Sequence, residues 1–439
     1  MTKARGIYGL ALLWPLAALA GEPWTLERAL QQALTANPDA RLAQQRIVAA
    51  QAGLDQANAA FWPRVQFQSS YTGSDNPMQV FGSILNQRAY NYNSPPDFND
   101  LPTVDNLNTR GLVTVPLYAG GKNVAARKAA VANTEAARQD NAAVRNALGF
   151  EVSRAFHTVL KTRQFVRAAE AAVSSLESSL GVARKRLDGG TLLKSGVLDI
   201  EVRLSQARED LVRARNANAL AMRALRNLLG VEQGDFEITD TAPAVTAPDS
   251  GDFSGRAELA AARHRERAAQ EQTRAARGGY LPRLSAFGSL DYDYGWNYDH
   301  GGGSWTAGAL LQWDLWDGKL TRAKVREANA NLESAREEQR KLRLALDLEV
   351  EQARLDLKAA DERLGVTEQA IAQATESARL TRARFEQELA LPKDLIDAET
   401  ALVAARVRRA EAEADRQIAI AALRKGLGLP QLESQTEVK

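Results

Sequence analysis

Few residues of this chain have the type and spacing that catalysis or metal binding requires. The sequence contains no cysteine, and its three histidines, His157, His264 and His300, lie far apart. None of them has the short spacing of metal ligands, so we expect solvated or packed imidazoles. Carboxylates such as Glu349 and Glu351 fall in charged helical stretches and indicate no acid–base pair. The residues predict neither catalysis nor a cofactor.

Two glycines, Gly120 and Gly121, stand where a strand-like run changes directly into a helical one. The segment AGGK lacks the G-x-x-x-x-G-K-[ST] frame of a phosphate loop. It follows the alternating run TVPLY and precedes a long segment rich in Ala, Arg and Glu. The segment WDLWDGK, with Gly318, makes the same change. Because glycine adopts dihedrals that other residues resist, we interpret all three glycines as strand–helix junctions.

Composition favours long, closely packed helices and an exported chain. Hydrophobic residues make up 45% of the sequence but aromatic residues only 6%, with alanine prominent, which is typical of helix-rich proteins. Residues 1–20 read as a cleavable signal peptide, with Lys3 and Arg5 before an apolar run and a small-x-small site. Without those two cations the chain is formally neutral, which argues against a nucleic-acid partner.

The chain is an internal tandem repeat. Tyr118 matches Trp316 and Asp199 matches Asp397 at a constant offset of 198 residues. The predicted repeats are 21–230 and 253–430, with a Pro-rich linker at 231–252 and a tail at 431–439. The predicted helices are 26–60, with a break near Asn37 and Pro38, 118–188 and 197–229 in the first repeat and 254–277, 316–386 and 395–427 in the second. The predicted strands are 64–72 and 109–117, then 283–296 and 305–315. The predicted hairpin loops between them are long and polar at 73–108 and short at 297–303.

Heptads in both long helices predict coiled-coil packing. Val350, Leu357 and Leu364 begin a series at intervals of seven, and small residues such as Ala353 fill the alternate positions. A second apolar set, including Leu344, lies off this seam. A helix in a two-helix coiled coil needs one apolar seam, whereas a helix in the wall of a cylinder needs two, one for each neighbour. The second set therefore favours a cylinder.

The four strands alternate between an apolar face and a polar face. In 305–315, tryptophans, alanines and leucines share one face, and Asp291 and Asp293 lie on the opposite face from Leu290 in 283–296. Each strand has about the 9–11 residues that cross a bilayer. A half-buried soluble sheet would alternate in the same way, so the strands alone leave both interpretations open. Four strands cannot close a membrane barrel, but three chains supply twelve.

A family resemblance rests on the two strand–helix junctions, on the paired segments RLDGG and RFEQE, and on the helix–strand–strand–helix order of each repeat. In these features the chain resembles TolC-type outer-membrane efflux proteins. The resemblance covers nearly all of the predicted mature sequence. It implies a homotrimer with a twelve-stranded β-barrel in outer-membrane lipid, continued by an α-helical coiled-coil barrel in the periplasm. It also implies a passive exit duct for a tripartite efflux pump or a type I secretion system. The expected partners are a periplasmic adaptor and an inner-membrane pump of the RND, ABC or MFS type.

The resemblance also assigns roles to the breaks after the long helices, 189–198 and 387–395. These are the family's periplasmic tips, where the adaptor docks and the tunnel is gated. The D-x-x-D pattern of the family's gate matches Asp394 and Asp397, although both also suit a helix start. Gly196 and Glu388 depart from the family's pattern. The expected tip residues are Gly189, Gly190, Leu192, Leu193, Ser195, Gly196, Glu388, Leu389 and Leu391.

Two other classes of protein remain as alternatives. A soluble periplasmic coiled-coil adaptor or structural protein would also contain helical hairpins, but an adaptor should carry one hairpin within split β halves. An enzyme or sugar-binding protein with helical stalks would need a compact site, which the residues do not indicate.

Overall fold

The computed structural model describes residues 23–95, 97, 99–232, 236–243, 245–248 and 251–432. The predicted leader 1–20 and most of the predicted tail 431–439 lie outside these ranges. The helices are α1 (Leu26–Ala36), α2 (Pro38–Ala59), α3 (Pro77–Asn86), α4 (Lys122–Asp188), α5 (Lys194–Leu228), α6 (Ala257–Arg277), α7 (Leu320–Glu386) and α8 (Pro392–Gly426). The strands are β1 (Arg64–Ser74), β2 (Val104–Ala119), β3 (Arg283–Gly295) and β4 (His300–Gln312).

The long helices α4 and α7 each pair with two shorter helices placed end to end. Helix α4 packs against α2 and α5, and α7 packs against α6 and α8. Helix α4 also contacts α6 and α8. The helical region is therefore one layer that is four helices wide along its length: α2, α4, α6 and α7 in one half, and α5, α4, α8 and α7 in the other. Each long helix has 67 residues, which corresponds to about 100 Å. One edge of this layer is α7, and the other edge is formed by α2 and α5.

The predicted heptad seams are buried at some positions and half-buried at others, such as Leu357 and Leu364. On α4, Val152, Val159 and Leu176 are almost inaccessible, and on α7 so are Val350 and Phe385. The second apolar set of α7 is exposed in the single chain, with Leu344 63% and Leu348 68% accessible. The apolar side chains of α7 therefore occupy two faces, of which only one is covered within the chain.

The sheet is an antiparallel meander in the order β1-β2-β3-β4, with β1 and β4 at its free edges. The predicted alternation is confirmed, because Asp291 and Asp293 lie on one face and Leu290 and Trp305 on the other. Leu290 and Trp305, which are cross-strand partners, are 71% and 74% exposed in the single chain. The apolar face of the sheet is thus uncovered.

The predicted starts of the long helices, at 118 and 316, are wrong by four residues. Strand β2 continues to Ala119, and the chain turns through Gly120 and Gly121, whose φ angles are 62° and 76°. Left-handed residues cannot belong to a right-handed helix, so α4 begins only at Lys122. The second repeat turns in the same way before Leu320.

The predicted starts of the three shorter helices also differ. Helices α5 and α8 begin at Lys194 and Pro392 rather than at 197 and 395, because the extended residues before them act as N-caps. Proline suits the first helical position, where no amide hydrogen is needed. Helix α6 begins at Ala257 rather than at 254, because a short 3-10 turn and the extended Arg256 precede it.

The loop predicted at 73–108 is wrong in its interior. Helix α3 forms there, because Asn76 caps the amides of Met78 and Gln79 and Pro77 occupies the first turn. Strand β2 then begins at Val104, five residues before its predicted start. Strand β4 likewise starts at His300 rather than at 305, since three consecutive glycines concealed the beginning of its alternation. It ends at Gln312 rather than at 315.

The predicted break in helix 26–60 is confirmed at Asn37, whose backbone is extended and whose side chain caps the next helix. Helix α1 packs into the largest core cluster, where Leu26 and Leu30 meet Phe156 and Leu225. Residues of the predicted linker join this core: Ile238 is buried, and its carbonyl accepts a hydrogen bond from Arg163 at 2.9 Å. The linker around Ile238 is therefore packed against α4.

Candidate functional site

The two hairpin tips, α4–α5 and α7–α8, lie against each other. The hydroxyl of Thr191 donates to Oε1 of Glu388 at 2.7 Å, and Nη1 of Arg186 donates to the carbonyl of Phe385 at 3.0 Å. The guanidinium of Arg186 also stacks 4.9 Å from the centre of the Phe385 ring. The structure thus brings the predicted tip segments of both repeats together at one end of the molecule.

An apolar cluster fills the space behind these contacts. Leu180, Ile200, Phe385 and Leu395 belong to it and come from all four helices of the two hairpins. Gly196 is buried beside it, and a Cβ there would lie 2.8 Å from Cγ of Pro392. The close approach of the second hairpin therefore explains this glycine, which departs from the family's pattern.

A buried carboxylate connects the hairpins one level above the tips. Glu399, 4% exposed, accepts hydrogen bonds from Ser175 Oγ at 2.9 Å and from Arg382 Nε at 3.1 Å. Arg382 Nη2 also donates to Ser175 Oγ at 2.8 Å and forms an ion pair with Glu399. Ser175 lies on α4 and the two charged residues on α7 and α8, so this triad joins the first hairpin to the second. Sequence reasoning missed it, because the three residues are far apart along the chain.

Glu388 occupies the position of a helix-ending glycine. Its φ angle is 66°, close to the 73° of Gly190 at the equivalent place in the first repeat. A non-glycine residue in this region is strained by about 1–2 kcal/mol. The hydrogen bond from Thr191 and the nearby Arg186, whose Nε lies 4.0 Å from the carboxylate, offset that strain.

The two predicted gate carboxylates differ in their local contacts. Asp394 accepts a hydrogen bond from the backbone amide of Leu391 at 3.1 Å, which stabilises the start of α8. Asp397, one turn later, is exposed. Asp394 therefore fulfils the helix-start role that its position allows. The structure of one chain contains no ring of carboxylates, since a ring requires further copies.

The outermost surface of the tips is apolar and uncovered. Leu193, Leu389 and Leu391 are 77%, 73% and 67% exposed. The predicted tip residues Gly189, Gly190 and Ser195 are also exposed, whereas Leu192 is half-buried. Clustered exposed leucines are unusual on a solvated surface and are typical of a contact site.

The predicted junction glycines lie between the sheet and the helical layer. Gly120 packs closely on the other repeat, since a Cβ there would lie 2.4 Å from the carbonyl oxygen of Gly278. The second junction has Gly318 at φ 66° and Lys319 at φ 71°. A left-handed pair of residues therefore makes the same turn in both repeats, although only three of the four residues are glycine.

Two titratable groups away from the tips are packed or paired. Burial lowers the pKa of His157 to about 4, so its imidazole is neutral near pH 7. Burial opposes ionisation of Glu349, but hydrogen bonds from Lys425 and Arg256 lower the pKa of its carboxyl below the usual value. Among the described residues, no group of three or more His, Asp or Glu side chains could hold a metal ion. No helix among them combines the length and apolarity needed to cross a membrane.

A duplicated helical hairpin attached to a four-stranded meander is the architecture of a channel-tunnel protein, and the comparisons identify its family. The sequence model of the outer membrane efflux protein family matches residues 29–231 and 254–429. The chain therefore belongs to this family of outer-membrane channels.

Individual relatives agree with this assignment. The outer membrane protein TolC of Vibrio cholerae is 25% identical over 306 residues, covering 65% of this chain and 69% of that protein. VceC of Vibrio cholerae superposes with a TM-score of 0.78 at 21% identity, covering 93% of this chain and 97% of its own. The open-state outer-membrane channel MtrE of Neisseria gonorrhoeae superposes with a TM-score of 0.76 at 17% identity, covering 92% and 89%.

Proposed function

We propose that three copies of this chain form a passive exit duct through the outer membrane, continued by a helical tunnel in the periplasm. The observation that carries the proposal is the open sheet with two free edges and an uncovered apolar face. An even-numbered antiparallel meander can join β4 of one copy to β1 of the next in antiparallel pairing. Three copies give twelve strands, and closure removes every unpaired edge.

The helical layer supports the same assembly. Exposed apolar side chains lie on the edge helices: Leu344, Leu348 and Leu355 on α7, and Val202, Val212 and Leu220 on α5. If α7 of one copy packs against α2 and α5 of the next, three layers of four helices close into a cylinder of twelve. The second apolar set of α7 then lies at the contact between copies.

The tips provide the gate and the docking surface of this proposal. In a trimer, Asp394 and Asp397 contribute two rings of three carboxylates at the start of α8. A narrow acidic ring binds cations, and its carboxylates resist joint ionisation. The exposed Leu193, Leu389 and Leu391 would contact a periplasmic adaptor, which links the duct to an inner-membrane pump. Docking would open the tunnel by separating the second hairpin from the first.

Membrane fractionation and planar-bilayer recording test the proposal. We expect the protein in the outer-membrane fraction and discrete channel openings after reconstitution. A soluble periplasmic monomer without channel activity would contradict the duct and favour an adaptor or structural protein. For the gate, the double substitution Asp394→Ala and Asp397→Ala should weaken block by trivalent cations at least tenfold, and unchanged block would refute the acidic rings.

A further inference from the structure

Helix α3 lies across the polar face of the sheet at the end farthest from the tunnel helices. The side chain of Gln87, which follows α3, donates to the carbonyl of Asp105 at 2.7 Å and to Oδ1 of Asn106 at 3.0 Å. Gly295 and Gly302, on the same face as Asp293, have no side chain where Gln87 and the carbonyl of Asn86 approach. A Cβ at either glycine would lie within 2.3 Å of those atoms. The polar face is therefore shaped to receive the end of α3.

The length of α3 matches the width of the sheet. The helix starts three residues after the end of β1 and ends above β3 and β4. Ten residues extend about 15 Å, and four strands are about 14 Å wide between the outermost strand axes. Helix α3 is consequently long enough to reach across the end of the sheet contributed by one chain.

The side of α3 that faces away from the sheet carries uncovered apolar side chains. Val80, Ile84 and Gln87 are buried against the sheet and the returning segment. Met78 and Leu85, seven residues apart, lie on the opposite side of the helix and are 79% and 46% exposed. The sequence PMQVFGSILN contains no charged residue. The exposed polar residues Gln79 and Asn86 flank this pair, so Met78 and Leu85 form a small uncovered apolar patch on the helix.

Barrel geometry indicates what meets this face. Twelve strands spaced about 4.8 Å apart and tilted by about 40° form a ring roughly 12 Å in radius. A helix about 10 Å in diameter that lies on the inner wall reaches nearly to the axis of such a ring. Three copies of α3 therefore leave little open space between them. The partner of the apolar face is the same face of the other two copies.

We propose that three copies of α3 narrow the outer mouth of the duct and that Met78 and Leu85 form an apolar ring there. Apolar constrictions oppose the passage of hydrated ions because water withdraws from them. The ring would make the mouth a selective exit, easier for apolar or amphiphilic solutes than for small ions. This inference rests on the proposed trimeric duct.

The absence of cysteine makes a direct test possible. Met78→Cys or Leu85→Cys would place three thiols around one axis, where they can chelate a soft cation such as Cd²⁺. In bilayer recordings we expect Cd²⁺ to block both variants at concentrations at least tenfold lower than the parent protein requires. A block at the mouth stops the current whatever the resistance of the periplasmic tip, because the two constrictions are in series. Gln79→Cys, exposed on another side of α3, is the matched control and should behave as the parent.

Oxidative cross-linking gives a second measurement that needs no channel activity. Leu85→Cys should yield covalent dimers after oxidation, whereas Gln79→Cys should yield at least tenfold fewer, because a disulfide requires Cα atoms within about 7 Å. A different result would be that trimeric channels form but Met78→Cys and Leu85→Cys show the same Cd²⁺ block and the same cross-linking as Gln79→Cys. That result would overturn the apolar ring and leave the duct intact. A parent protein that forms no trimer and no channel would contradict both the duct and the ring.

Discussion

The triad of Ser175, Arg382 and Glu399 predicts how strongly the two hairpins hold each other. Glu399→Gln keeps the size of the side chain and removes its charge. Breaking a fully buried ion pair costs about 3–5 kcal/mol, whereas an exposed pair contributes at most about 1 kcal/mol. Glu399 is buried, but the Arg382 side chain is 38% exposed and partly screened by solvent. We therefore expect a loss of about 2 kcal/mol per chain.

This loss should appear as a change in tip opening. A difference of about 2 kcal/mol changes a two-state equilibrium roughly 30-fold for each hairpin that separates. Single-channel recordings of Glu399→Gln should show the high-conductance state at least tenfold more often than the parent protein. Glu376→Gln is the matched control, because Glu376 pairs with Arg379 on the same helix and both side chains are exposed. If both variants opened equally often, the triad would not hold the tips together.

Three further perturbations test individual parts of the structure. Acidification from about pH 6.5 to about pH 4 should lower the free energy of unfolding by about 3 kcal/mol per chain, because the folded chain keeps His157 neutral. His157→Gln should remove this pH dependence of the free energy of unfolding in denaturant titrations. A variant with the same pH profile as the parent protein would refute the role of His157. Glu388→Gly should leave a protein about 1 kcal/mol more stable in such titrations than Glu388→Ala, since only glycine relieves the left-handed strain; equal stabilities would contradict that. Gly120→Ala should lower the thermal midpoint more than Gly121→Ala, because only the first methyl group meets the carbonyl of Gly278; equal midpoints would argue against the close contact.

The repeat and the seams could be predicted from sequence because they are periodic. A constant offset of 198 residues aligned the two hairpins, and the intervals of seven located the buried faces of α4 and α7. Alternation likewise located Asp291 and Asp293 on the face opposite Leu290. Local patterns of this kind repeat many times, so single exceptions do not conceal them.

Features that depend on one or two residues were harder to predict. Helix α3 is only ten residues long and lacks charge, so the segment read as a loop, although Asn76 and Pro77 are helix-start signals. The glycines at 301–303 concealed the beginning of β4, because residues without side chains show no alternation. The left-handed Glu388 and Lys319 follow from tertiary contacts and equivalence between repeats, and not from propensity.

The triad at the tips could not be predicted from a single sequence. Ser175 and Glu399 are 224 residues apart, and nothing in the local pattern around either residue links them. Glu399 falls among other carboxylates on a charged helix, and only packing of the second hairpin against the first buries it. The pattern of each helix could be predicted from its sequence. Contacts between the repeats could not, because they depend on how the helices are arranged in three dimensions.

The number of chains in the assembly tests the account most directly. In the proposed duct, further copies of the chain pair with the sheet edges β1 and β4 and cover the exposed apolar face of α7. Native mass spectrometry of the protein released from detergent micelles should give the mass of three mature chains. The mass of a single chain, from a sample that retains its native circular-dichroism spectrum, would contradict the shared barrel and the tunnel built on it.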